Sequence, residues 1–168
     1  MTDEGSNAKR VLVIDDEPRA RAVICEYLQM SGYRADAAGS VQEAVQLFCD
    51  TPYDLITLDF RMPGMDGGQL HQFLSKHFGH GQRVSDLLPQ RLPPILIVTG
   101  CAHDPAVQAL LDGENVIEII EKPISYESFS LAVTHVLARA EQRRLHRRKL
   151  RARLAKHIVS NSRAANPG

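Results

Sequence analysis

The 168-residue sequence predicts a doubly wound α/β fold: a five-stranded parallel sheet covered by helices on both faces, with an extended C-terminal helix. Three observations carry that expectation. Five short β-branched apolar runs alternate with five segments of helical apolar period, the pattern of repeated βαβ units. The clearest runs are apolar without interruption, as expected of parallel strands buried on both faces. Beyond residue 140 the chain is basic and lacks Gly and Pro as far as His157, so the last helix has nothing to stop it.

The elements follow in order. Arg10-Val11-Leu12-Val13-Ile14 reads as the first strand and ends in Asp15-Asp16-Glu17-Pro18. Pro18 suits the first turn of a helix, where its missing N–H would be unpaired in any case. Ala22, Cys25, Leu28 and Met30 continue the helical pattern until Gly32 supplies a stop. Tyr33 to Ala38 is a weaker strand, and Ser40 with Glu43 forms a capping box for the second helix. Asp54 to Asp59 is the third strand, and Gln69 to Phe78 the third helix. Pro94 to Thr99 is the strongest strand, Pro105 to Leu111 a short helix, and Asn115 to Ile120 the fifth strand. The last helix starts at Ser125 and is expected to reach about His157, roughly 50 Å at 1.5 Å per residue. Asn161 to Gly168 is expected to be disordered.

Composition narrows the function. Aromatics make up 5% and Trp is absent, which argues against a surface that stacks on bases. No apolar run approaches the roughly 20 residues that span a bilayer, and Met1 to Arg10 has no signal-like apolar segment, so a cytoplasmic protein is expected. Cys25, Cys49 and Cys101 are odd in number and widely spaced, which argues against a disulfide framework or structural zinc. Cys25 and Cys49 fall in apolar helical patterns and are expected in the core. His71, His77 and His80 lie close together without the spacing of a known metal motif. The zero net charge conceals a division: residues 139–168 hold ten Lys/Arg and one Glu, or +9, against −9 over residues 1–138. Such a contrast marks an acidic folded part and a basic appendage.

In an open parallel sheet, ligands bind beyond the carboxyl ends of the strands. Asp15 and Asp16 end the first strand, Asp59 the third and Thr99 the fourth, while Lys122 follows the fifth. All fall on one edge, so they can converge despite their separation in sequence. Clustered carboxylates favour Mg²⁺, which prefers oxygen ligands and often takes its last ones from a phosphate. An Asp can attack phosphorus and form an acyl phosphate. Lys122 and Thr99 could then engage the charge on the transferred oxygens. Each residue also has a plainer reading: Asp15 or Asp16 as a helix cap, Glu17 as a carboxylate on the helix dipole, Thr99 and Lys122 as ordinary strand-end groups.

At this point the motifs become specific. Asp15-Asp16-Glu17-Pro18, Leu58-Asp59-Phe60-Arg61-Met62-Pro63-Gly64-Met65-Asp66-Gly67, Val98-Thr99-Gly100 and Glu121-Lys122-Pro123 together resemble the response-regulator receiver family, over about residues 9 to 140. The resemblance implies the flavodoxin-like sheet order 2-1-3-4-5. It implies Asp59 as phosphoacceptor, with Thr99 and Lys122 on the phosphoryl group. Mg²⁺ would be held by Asp16 and Asp59 directly, by Asp15 through water, and by the backbone carbonyl of Arg61. It also implies a cis Lys122-Pro123 peptide, and a histidine kinase or phosphotransfer protein as phosphodonor. The chain would be a signalling protein of a two-component system or phosphorelay, not an enzyme acting on an external substrate.

Two departures stand out. Ile119 occupies the position, three before the lysine, where the family usually carries an aromatic switch residue. The stretch from Gly79 to Pro93 is longer than usual and rich in Gly and Pro, a loop by composition. Arg61 and Cys101, flanking the site, are expected to tune access of water to an acyl phosphate.

Residues 141–168 form the basic helical tail. Leu150, Leu154 and Ile158 make a short stripe, but a coiled-coil seam is weak. A solvated or frayed helix, free or folded back on the acidic domain, ranks first, a helix that docks an unknown downstream protein or forms a homodimer second, and a nucleic-acid or anionic-lipid contact third. Relay by protein contact is therefore the leading expectation, and a transcriptional regulator binding nucleic acid through the tail is the alternative.

Overall fold

The computed structural model describes residues 8–64, 68, 69, 71, 72, 92–112 and 115–164, and the side chains of these as far as residue 155. By its internal contacts the chain forms two compact units, Met1–Leu137 and Ala138–Gly168.

The first unit is built on a parallel sheet. Strands β1 (Arg10–Ile14), β2 (Arg34–Ala38), β3 (Leu55–Leu58), β4 (Ile95–Thr99) and β5 (Val116–Glu121) lie in the order β2-β1-β3-β4-β5. This is the order expected. Helices α1 (Pro18–Met30), α2 (Val41–Asp50), α3 (Pro105–Gln108) and α4 (Tyr126–Ala164) separate or follow the strands. The helix expected over Gln69–Phe78 lies largely outside the described residues, as do most of Gly79–Pro93, His77 and His80.

The helix ends follow from their sequences. Pro18 opens α1 at its first turn. Its C-terminus closes on a glycine: Gly32 adopts φ 81°, its N–H donates to Gln29 O at 3.0 Å, and Tyr33 N–H donates to Leu28 O at 2.9 Å. That pair of bonds is the Schellman cap, which satisfies two otherwise orphaned carbonyls. Ser40 Oγ accepts from Glu43 N–H at 3.2 Å, and Glu43 Oε2 accepts from Gly39 N–H at 2.7 Å. The capping box is thus present, with its carboxylate reaching one residue further back than the usual pattern.

Alternation along the strands divides the core. Leu12, Ile14, Ile56, Leu58, Ile95, Ile97 and Val116 face Phe48 of α2 and Val107 of α3. Val11, Val13, Leu55, Leu96, Val98 and Ile117 face Ile24 and Leu28 of α1 and Phe129, Val133 and Val136 of α4. Burying each Leu, Ile, Val or Phe side chain contributes about 1.5–3 kcal/mol, so both faces of the central strands drive folding. β2 is an edge strand with only Ala38 buried, which explains its weak sequence signal. Between β4 and β5 the register slips: Ile95 pairs with Val116 but Leu96 pairs with Glu118. The extra residue changes the parity of β5, so Val116 and Ile119 pack on one core and Ile117 and Ile120 on the other.

Several expectations need correction. Cys25 and Cys49 are half-buried, not core. Cys25 packs at the margin of the second core, because it sits about 100° round α1 from Ile24, at the edge of the buried face. The short helix gives way at Ala109 to a 3₁₀ turn, Ala109–Asp112. The last helix continues to Ala164, past His157 and through residues expected to be disordered. No Gly or Pro interrupts it there, and polar Ser and Asn do not by themselves end a helix. Within the second unit, every residue from Ala138 to Ala155 is exposed except Ala140 and Arg147, which are half-buried.

Candidate phosphoacceptor and cation site

Main-chain bonds carry the sheet one residue past its strand ends. Asp15 N–H donates to Ala38 O at 3.2 Å, Asp59 N–H to Ile14 O at 2.9 Å, and Lys122 N–H to Thr99 O at 2.9 Å. These bonds fix the backbone from which the predicted site residues project. The sequence placed the residues on one edge, and the geometry brings most of them together.

Oxygen atoms of Asp15, Asp16 and Asp59 lie within 4.8 Å of one another. Asp15 is 1% exposed and Asp59 8%, while Asp16 lies nearer solvent. Lys122 Nζ donates to Asp15 Oδ2 at 2.6 Å and to Asp59 Oδ2 at 2.8 Å. Asp15 Oδ1 also accepts from Glu17 N–H at 2.9 Å, so this carboxylate both serves the cluster and ties down the start of α1. Glu17 itself is the N-cap residue of α1 and makes no side-chain cap. The Lys122-Pro123 peptide is cis, as the resemblance implied.

Burial pushes the Asp15 carboxyl above the usual range, with Lys122 and the Glu17 amide opposing it. For Lys122, burial is the largest single influence and acts downward, but the bonds to Asp15 and Asp59 together outweigh it and raise its pKa. Each shift reflects the same competition between lost hydration and a close opposite charge.

The arrangement fits a divalent cation. Three ionised carboxylates opposed by one ammonium leave a local charge of −2. Carboxylate oxygens are hard ligands of the kind Mg²⁺ takes, and the more open Asp16 leaves room for water or phosphate oxygens in the rest of the octahedron. The main chain of Arg61 stands beside the cluster, its N–H donating to Asp59 Oδ1 at 3.2 Å. The Arg61 guanidinium extends outward, 71% exposed, to an ion pair with Asp104 at 3.7 Å.

Thr99 is fully buried at the end of β4, with its hydroxyl engaged locally. Oγ1 lies 3.2 Å from Cys101 Sγ and accepts from Cys101 N–H at 3.4 Å. Sequence reasoning did not anticipate this contact, although a Thr followed two residues later by a turn N–H is a recurring local motif. It also missed Arg21, whose Nη1 donates to Asp15 O at 2.6 Å. The guanidinium lies over Gly39, where an added Cβ would come 3.0 Å from Arg21 Nη1. Ile119 is partly buried against the first core.

A doubly wound sheet with an acid cluster and a lysine at its carboxyl edge defines a class, and comparison with known proteins names it. The model of the response regulator receiver domain matches residues 11–134. The chain belongs to this family, the receiver domain of two-component response regulators.

Among curated relatives, it is similar to the regulatory protein AtoC of Escherichia coli, 28% identical over 157 residues, covering 91% of this chain and 31% of that protein. It is also similar to the transcriptional regulatory protein ResD of Bacillus subtilis, 30% identical over 138 residues, covering 82% of this chain and 51% of that one. The chain therefore spans about a third to about half of the length of these relatives. A receiver domain from Methanospirillum hungatei superposes with a TM-score of 0.67 at 20% identity, covering 82% of this chain and 99% of that one. The response regulator TrrA of Thermotoga maritima, solved in complex with Mg²⁺-BeF, gives 0.59 at 28% identity, covering 76% and 98%. Among the described residues, no helix is long and apolar enough to cross a membrane.

Proposed function

We propose that the chain is a phosphorylation switch in which Asp59 accepts a phosphoryl group. The observation that carries this reading is the buried Asp59 carboxylate, held 2.8 Å from Lys122 within a cluster of acids. An Asp59 oxygen attacks phosphorus, forming the O–P bond of an acyl phosphate. The bond from phosphorus to the donor breaks, and its electron pair leaves with the donor, a phosphohistidine of a histidine kinase or phosphotransfer protein. Asp16, Asp59 and the carbonyl of Arg61 would hold Mg²⁺ directly and Asp15 would hold it through water. When bound, that ion supplies neutralisation of the charge on the transferring oxygens.

Lys122 is already beside Asp59 and can follow one of the new oxygens. Thr99 donates to another after its hydroxyl leaves Cys101. That exchange gives the phosphoryl group a different energy in the two arrangements, which is what a switch requires. With Ile119 where the family usually has an aromatic, Thr99 carries more of the change. The output is protein contact with a downstream partner, in a cytoplasmic phosphorelay. Residues 9–140 make up the receiver, and residues 141–168 are a separate appendage.

Intact-protein mass spectrometry after incubation with acetyl phosphate tests the reading. The expected result is a single phosphoryl adduct that requires Mg²⁺ and is absent in Asp59→Asn. An adduct that persists in Asp59→Asn, or no adduct from either acetyl phosphate or a phosphorylated histidine donor, overturns it. Turnover of external phosphate monoesters would indicate a hydrolase instead.

A further inference from the structure

The geometry points to the helix of the second unit as a ligand for the phosphate walls of the major groove of B-form DNA. Eight Lys/Arg and one acid, Glu141, lie between Arg139 and Arg153. At about 100° per residue these charges do not form a single stripe. Arg144 and Arg148 mark one limit of the basic surface, Lys149 and Arg153 the other, and Arg139, Arg143, Arg147 and Arg151 fill the arc between them, so the charge wraps more than half of the helix. The surrounding surface is open, since from Ala138 to Ala155 only Ala140 and Arg147 are half-buried.

Charge on both sides selects among partners. An acidic protein surface touches one face of a helix and would leave part of so wide a basic arc unmatched. A membrane-surface helix needs a segregated apolar face. Here Leu150 and Leu154, 49% and 55% exposed, share the sector of Arg139 and Arg151, and Leu145 lies across the helix from them. The same scatter removes a coiled-coil seam. A groove offers anions on two sides at once. The major groove of B-DNA, about 12 Å wide, admits a helix about 10–12 Å across. The A-form groove of duplex RNA is too narrow and deep.

Like charges four residues apart, as in Arg144/Arg148 and Lys149/Arg153, repel along the helix, and phosphates between them relieve that repulsion. Gln142 is the only amide side chain from Arg139 to Ala155, so the contact reads backbone rather than sequence.

Fluorescence anisotropy of the full chain with a labelled mixed-sequence 20-base-pair DNA duplex tests this. The expected affinity falls roughly 10³-fold between 50 and 200 mM salt. The variant R144Q/R148Q/K149Q/R151Q is expected to lose at least about 100-fold in affinity at low salt and to flatten the slope of log K against log salt by about 3–4. Gln and Arg have similar helix propensity, so circular dichroism should be unchanged, and replacing the three Arg by Lys should preserve binding. Absence of binding at 50 mM salt, salt-independent binding, or equal binding to duplex RNA overturns the proposal. So does self-association in sedimentation, or capture by phosphatidylserine vesicles, that the variant abolishes while DNA stays unbound.

Discussion

Lys122 contacts Asp15 and Asp59 across 107 and 63 residues of sequence, and its ammonium is what makes two buried carboxylates tolerable in one place. Removing one member of a buried, hydrogen-bonded charge group leaves the others uncompensated, at a cost of about 3 kcal/mol. Lys122→Ala should therefore lower the unfolding free energy by about that amount in Mg²⁺-free urea titrations. Added Mg²⁺ should restore part of the loss, because a ligand of the native state stabilises it by mass action. A loss under about 0.5 kcal/mol would show that the lysine is dispensable to the resting site.

At this scale the sequence was informative where a residue type had to stand at a strand end, as with Asp15, Asp16, Asp59, Thr99 and Lys122. It was silent on the Thr99–Cys101 and Arg21–Asp15 contacts. Those depend on which rotamer a side chain takes once its neighbours are in place, and no periodicity records that.

Strands and helices show a different balance. The two helix ends with a glycine or a hydroxyl-plus-acid pair, at Gly32 and at Ser40 with Glu43, were readable because capping is local chemistry. Gly32→Ala should cost about 1 kcal/mol in thermal or chemical unfolding. An added Cβ would meet nothing within 4 Å, so any such loss would come from the φ of 81° alone. A neutral outcome would mean the turn relaxes freely.

The edge strand was harder to read, because β2 gains little from burial and is held partly by polar contacts. Arg10 Nε pairs with Asp36 Oδ2 at 2.6 Å, and the guanidinium lies 5.9 Å from the centre of the Tyr53 ring. The bond from Arg10 holds the Asp36 carboxyl below its usual range, while burial and then Asp36 push the Tyr53 phenol up to about 12. A carboxyl with a depressed folded pKa contributes stability above its unfolded pKa, near 3.9, and loses it as pH falls through the lower folded value. Asp36→Asn should thus be less stable than wild type at pH 7, by no more than about 1 kcal/mol for so open a pair. The gap should close as pH falls below about 4. An unchanged gap at pH 3 would assign the loss to packing.

Across the whole molecule, charge was the clearest message in the sequence and its meaning the least clear. The −9 charge over residues 1–138 and +9 over 139–168 predicted a division of labour, and the chain forms two compact units, but composition gave no angular arrangement to the basic residues. That had to wait for a helix unbroken from Tyr126 to Ala164. Among the described residues, the last buried positions are Val136 and Leu137. A chain ending at Ala140 should therefore keep the unfolding free energy of the full chain within about 0.5 kcal/mol, and should still take up phosphoryl from acetyl phosphate. A larger drop in urea titrations would show that the appendage helps hold the receiver together.

The slipped pairing between β4 and β5 also acts at this scale, in the manner of a reading frame. Every side chain beyond Ile117 is in phase only because one residue there goes uncounted. Deleting Ile117 itself would leave Glu118 to Glu121 on their present partners, whereas deleting one residue between the slip and Lys122 would exchange the faces of those before it and bring Lys122 to the carboxylates in the wrong phase. The spacing from Glu118, where regular pairing resumes, to Lys122 is thus a molecular ruler, and a sequence can keep every motif and still be misread by one.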